Sequence, residues 1–354
     1  MLALFLLFFP VLMLLCLRPS AALAEERQTT ADGGLREIPV TALEGVRIGQ
    51  AQDEVGGTGC TVFLLGDGAP AGLDVRGGGP ASRESELLHP LAHASFVHAI
   101  VLSGGSAYGL GAADGVMRYL NERGIGLDVG VSKVPLVCQS CLFDLTVASP
   151  EAHPDADMGY AACVAAESGT GYRDGCFGAG MGATVGKLLG MDACMKSGIG
   201  SYAVQLGALK VGAVVAVNAL GDVFDWKDGR KVAGMRDAQE LLSTDEVLLR
   251  VWTHAVENKF VGNTTLAVIL TNAHFDKAAL CKIAGMAHDG YARSIRPVHS
   301  SADGDSIYAV SLGDVTEDKD LVGELAAQTV SEAILRAVRR ARGMYGFPAA
   351  DGTA

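Results

Sequence analysis

From about residue 38 the chain alternates short apolar runs with glycine-rich turns and amphipathic stretches. The runs CTVFLL (60–65) and AIVLSGG (99–105) predict strands. Residues 106–124 predict a helix, with Leu110, Ala113, Val116 and Leu120 at helical spacing and Gly124 as its stop. A second helix is expected over 157–169, and a long strand that bends at a glycine over 209–225. Residues 237–258 are polar and helical at first, then undecided, and they carry an exposed stretch towards Asn263. TTLAVILTNA (264–273) is a near-continuous apolar strand. After it come a helix over 276–295, a strand over 305–313 and a last helix over 320–342. No repeat and no linker stands out, so the pattern is mixed α and β around one extended core.

The first 24 residues depart from this pattern. An uncharged apolar run leads to Arg18-Pro19-Ser20 and then Ala22-Leu23-Ala24, an A-x-A cleavage pattern. This predicts export to a periplasmic or secreted location, with the mature domain starting at residue 25. The alternative is an uncleaved membrane anchor over residues 1–17, although that run is slightly short for a bilayer span. Leu15 before Cys16 argues against a lipoprotein.

Composition narrows the class. Hydrophobic residues make up 49% and charged residues 19% of the 354, as in a globular chain, and the 46 glycines point to many tight turns. A formal charge of −12 argues against nucleic acid, which needs clustered Lys and Arg. The short RAVRRAR run (336–342) is read as the solvated face of the last helix. Seven of the eight cysteines lie beyond the export segment, an odd number that leaves at least one thiol free. Cys138 and Cys141 form a C-x-x-C. Without a second ligand pair or a following helix start, it predicts a local disulfide or plain packing.

Several motifs fail on spacing. GAGMGATVGK (178–187) has Met181 where a phosphate loop needs its first glycine, and Leu188 where it needs Ser or Thr. Its expected role is a helix start packed close to a strand, with Lys187 available to a nearby site. His89, His93 and His98 have no companion spacing for a metal, and no G-x-S-x-G occurs. Neither metal nor cofactor is expected.

Chemistry gathers instead where a polar run meets the strand at 264. A strand start or a glycosylation sequon would each explain Asn263-Thr264-Thr265. A third reading is a self-cleaved bond. A threonine hydroxyl needs a base to attack. An N-terminal threonine carries one in its own α-amine, with a reference pKa of about 7.7–8.0. Cleavage of Asn263–Thr264 would expose that amine, and Gly262 would permit the sharp turn. Asp303 and Asp305, two apart at a strand mouth, would orient the nucleophile. Asn218, inside VVAVNALG, would serve as an oxyanion donor. A D-G-D turn and a core Asn bonded to backbone are the structural alternatives.

The ordered set GVRIGQAQD, GTGCTVFLL, GLDVRGGGPASRESELL, AIVLSGGSAYGLGAADGVMRYL, GAGMGATVGK, VGAVVAVNALGDV, NTTLAVILTNA and DGDSIYAVS resembles the P1 family of peptidases. These are self-processing hydrolases related to the L-aminopeptidase/D-esterase DmpA and to nylon-oligomer hydrolase. The resemblance implies a four-layer α/β/β/α sandwich. It also implies an α subunit (25–263) and a β subunit (264–354) that stay together in a homo-oligomer. By position it implies Thr264 as nucleophile, Asp303 and Asp305 as support, Asn218 at the oxyanion and Lys187 as an active-site lysine. One branch has a tyrosine near position 143, where this chain has Phe143, so a phenolic contact is not carried over. The expected activity is an aminopeptidase acting on small peptides or amides. Alternatives are an endo-amidase on ω-amino acid oligomers, an acyltransferase, or an unprocessed binding protein.

Overall fold

The computed structural model describes residues 34–169, 171–238, 240–251 and 262–350. The first 24 residues, expected to direct export and containing Cys16, and the stretch 252–261 before the Asn-Thr bond lie outside them.

Eleven strands build two sheets. In chain order they are β1 (Arg36–Ile38), β2 (Arg47–Asp53), β3 (Thr58–Ala69), β4 (Ala71–Val75), β5 (Ala81–Arg83) and β6 (Val97–Ser103). They continue with β7 (Val137–Cys141), β8 (Ile199–Leu206), β9 (Leu209–Asn218), β10 (Thr264–Ala273) and β11 (Ser306–Val315). One sheet has the order β2-β3-β6-β7-β5, the other β1-β8-β9-β10-β11-β4. Pairing is antiparallel except for β6 with β7 and β10 with β11.

Helices cover the outer face of each sheet. Helices α1 (Ala112–Glu122) and α2 (Ala156–Glu167) pack on the five-stranded sheet through Val62, Val101, Val116, Leu120 and Ala162. A short helix, α3 (Thr244–Val251), precedes the Asn-Thr bond. Helices α4 (Lys277–Ser294) and α5 (Lys319–Arg340) cover the six-stranded sheet. The sheets meet through Phe63, Ile100, Leu102, Val214, Leu266, Val268 and Val310. The layer order is therefore α/β/β/α, the expected sandwich.

This layering explains the unbroken apolar run of β10. Ala267 and Ile269 face the α4–α5 layer, whereas Leu266, Val268 and Leu270 face the other sheet. A strand covered on both faces has no polar side to show. Three helix starts are set by aspartates. Asp155, Asp276 and Asp318 accept backbone N–H groups of the first turns of α2, α4 and α5.

Three expectations need correction. The strand expected over 209–225 ends at Asn218, and Asp222–Phe224 pairs in a separate three-stranded sheet. The segment expected to be helical from 237 begins as a two-residue hairpin, Arg236–Asp237 against Glu240–Leu241. No helix starts in GAGMGATVGK. Gly178–Gly180 is one 3-10 turn, and Thr184–Val185 pairs with Met195–Lys196. Of the two readings of Cys138 and Cys141, plain packing holds, since both thiols are free and buried. Three residues apart on β7, they point to opposite faces. Of the last helix's arginines, Arg339 pairs with Asp225 at 2.7 Å and Arg336 with Glu37.

Candidate active site

The site forms where β9, β10 and β11 end side by side. Pairing of β9 with β10 places Asn218 opposite Thr264, and an isolated parallel bridge joins Asn263 to Asp303. Asn263, Thr264, Asp303 and Asp305 are all buried. The Thr264 hydroxyl donates to the carbonyl oxygen of Asn263. That same oxygen accepts the backbone N–H of Gly304 at 2.9 Å.

The loop carrying Gly304 is held from both sides. Gly77 and Gly79 donate to the carbonyls of Asp305 and Asp303. Gly304 must lack a side chain, since a Cβ there would stand 2.6 Å from Thr264 Oγ1. Asp305 Oδ1 accepts the Thr265 N–H at 2.7 Å. Its other oxygen accepts from His299, through the backbone N–H at 3.1 Å and through Nδ1 at 2.8 Å. Asp303 accepts from Ser300 N at 2.7 Å. Burial, and then the neighbouring Asp305 charge, push the Asp303 carboxyl up to about 6.

On the other side Lys187 and Asn218 form a buried unit. Lys187 Nζ donates to Asn218 Oδ1 (2.6 Å), to the Asn218 carbonyl (3.1 Å) and to the Gly262 carbonyl (3.1 Å). Asn218 Nδ2 donates to the carbonyl of Phe143 at 2.8 Å and reaches that of Gly262 at 3.5 Å. Burial brings the Lys187 amine down to about 7, and the charge of Asp303 opposes the shift only in part.

A cavity of about 200 Å³ opens against this bond, lined among others by Phe143, Cys141, Ser106, Asn263 and Thr264. Its size suits a small substrate group. Phe143 packs so closely on Gly262 that a Cβ there would lie 2.7 Å from the ring.

All five residues singled out from the sequence converge here. The backbone donor on the Asn263 carbonyl is Gly304, and Asn218 reaches the Gly262 carbonyl one residue earlier. Asp305 reaches β10 through Thr265. Gly304 and His299 were missed. The only sign of Gly304 was a glycine between two singled-out acids, and nothing in the sequence marked His299.

Residues 39–350 match peptidase family S58, and the chain belongs to this family. It is 38% identical over 322 residues to an uncharacterized aminopeptidase of Mycobacterium leprae, covering 82% of this chain and 84% of that protein. It is 32% identical over 318 residues to a 6-aminohexanoate-oligomer endohydrolase of an Agromyces species, covering 85% and 86%. Its fold matches that of the L-aminopeptidase D-Ala-esterase/amidase from Ochrobactrum anthropi, described as a new variant among the Ntn hydrolase fold. There the TM-score is 0.61 at 15% identity, covering 85% of this chain and 86% of that one. The chain is thus a hydrolase of peptide or amide bonds.

Proposed function

We propose that the chain cuts itself between Asn263 and Thr264 and then works as an aminopeptidase through the freed Thr264. The observation that carries this reading is the Thr264 hydroxyl bonded to the Asn263 carbonyl oxygen, with Gly304 N–H on the same atom. A donor already in place on that oxygen stabilises the charge that attack would develop there. In the cut, Thr264 Oγ bonds to the Asn263 carbonyl carbon and the C–N bond breaks. The hydroxyl proton ends on the Thr264 nitrogen. Water then resolves the ester to the Asn263 carboxylate and the Thr264 hydroxyl.

In the mature enzyme the same hydroxyl attacks the substrate carbonyl. The α-amine takes its proton and hands it to the leaving amine. Lys187 and Asn218, bonded to each other, hold the wall opposite Gly304. Asp305 fixes the backbone at Thr265, and Asp303 sits beside it.

The fragments would remain one body. Strands β10 and β11 lie between β9 and β4 of the larger fragment, so separation would require unfolding the sheet. Export of the mature chain belongs to the same proposal. The aminopeptidase assignment is supported by the name of the Mycobacterium leprae relative. The Agromyces relative supports an endo-acting hydrolase of ω-amino acid oligomers as the second reading.

N-terminal sequencing of the purified protein tests the cut, and aminoacyl p-nitroanilides of α-, β- and ω-amino acids test the activity. A fragment beginning at Thr264 that releases p-nitroaniline is the expected result. A fragment starting elsewhere, or none, would exclude Thr264 as the new terminus.

A further inference from the structure

His299 is the unassigned residue most firmly tied to this site. It is one of five non-glycine residues among those described with positive φ, at +60°. A histidine in the left-handed region is unusual and calls for a compensating contact. That contact is Asp305, whose Oδ2 accepts both the backbone N–H and the ring Nδ1 of His299. A left-handed backbone lets one residue present both donors to one oxygen.

The ring is fixed as well. It packs edge-on against His288 at 4.7 Å between centroids and lies 5.8 Å from the Tyr291 ring, both on α4. Its Nε2 is buried with no hydrogen-bond partner among the described residues. Beside a carboxylate oxygen, Nδ1 is the donor of this pair. His288 forms the backing, with its Nε2 3.1 Å from the carbonyl of Asp74.

We infer that His299 is a positioning residue for the Asn263–Thr264 cut, acting through Asp305. Its two donors lock the Asp305 carboxylate so that Oδ1 meets the Thr265 N–H, which fixes the backbone beside Thr264. The same lock braces the 299–305 loop, whose Gly304 N–H holds the Asn263 carbonyl. The inference rests on Thr264 being the attacking residue.

The test is the rate of self-cleavage, followed by pulse–chase after cell-free synthesis of the full chain. His299→Gly accepts the backbone conformation but loses the ring donor. His299→Asn accepts it too and places an amide N–H near the Nδ1 position. Loss of a hydrogen bond to a charged group corresponds to about tenfold or more in rate. His299→Gly should therefore be slower by about tenfold, and His299→Asn should stay within about threefold of the wild type. Thermal melts show whether each variant is folded, and the Asn result stands even if the Gly variant does not fold. A folded Gly variant as fast as the wild type, or a folded Asn variant slowed by about tenfold, would overturn the inference. A wild-type chain that is not cut at Asn263–Thr264 would overturn the self-cleavage proposal and this inference together.

Discussion

Gly304 and Thr264 share one oxygen atom. The Gly304 N–H and the Thr264 hydroxyl both donate to the Asn263 carbonyl, and a Cβ on Gly304 would stand 2.6 Å from Thr264 Oγ1. A backbone donor and a hydroxyl are thereby placed around one carbonyl with no room for a side chain between them. Replacing Gly304 by alanine should displace the hydroxyl or the N–H, since both cannot keep their positions. Loss of one such donor lowers rates by about 100-fold or more. Gly304→Ala should accumulate uncut chain in a denaturing-gel time course, while its circular dichroism stays that of the wild type.

Lys187 gives a pH signature on stability. In the folded chain burial holds its amine at about 7, whereas the ordinary value is 10.5. Between those values the unfolded chain binds the extra proton, so stability from this group rises with pH across that window. The penalty is full below about 7 and fades towards 10.5. In an uncut Thr264→Ala background, Lys187→Met removes the titration. The advantage of the Met variant over its parent should shrink between pH 7 and pH 10, by on the order of 2 kcal/mol in urea titrations.

Asp303 should show the opposite window. Its folded value of about 6 lies above the ordinary 3.8, raised by burial and by Asp305. A raised carboxyl contributes stability that is present below the unfolded pKa and lost as pH rises through the folded one. In the same Thr264→Ala background, Asp303→Asn should gain on its parent between about pH 4 and pH 6, by on the order of 1 kcal/mol. Equal midpoints at both pH values would contradict the assignment of that shift.

The core makes its own prediction. Ile269 is fully buried at the centre of β10, under the α4–α5 layer. Ile269→Ala should cost about 2–5 kcal/mol. In denaturant it should lower the midpoint and leave the slope unchanged.

The C-terminal third of the fold was legible because its elements have strong periods. Strand β10 carries an unbroken apolar run over 266–270 because both faces are covered, and α4 and α5 begin at aspartate caps that follow polar turns. Residues 236–241 were not legible, since strands of two residues joined through Ala238 at positive φ have no period to detect. The glycines of 178–187 misled for another reason. A Cβ on Gly180 would collide with Ile199, and one on Gly186 with Met235, so these glycines permit close packing of backbones and not only tight turns.

In the site, a hydrophobic run with an amide in it drew attention to Asn218, and paired acids drew it to Asp303 and Asp305. The glycine run left Lys187 only as available to a nearby site, and its active-site role came from family resemblance, because a lysine after a glycine turn carries no sign of its burial. Gly304 offers only its backbone N–H, and His299, six residues before the Asp305 it bonds, lies outside the acid pair that drew attention. Both become visible only when β10 and β11 lie side by side.

The most direct test of the self-cleavage proposal is the intact mass of the purified chain beside that of Thr264→Ala. The wild type should give two fragments whose masses place the break between Asn263 and Thr264, and Thr264→Ala should give one uncut chain. A single uncut mass for the wild type, or the same two fragments from Thr264→Ala, would contradict it.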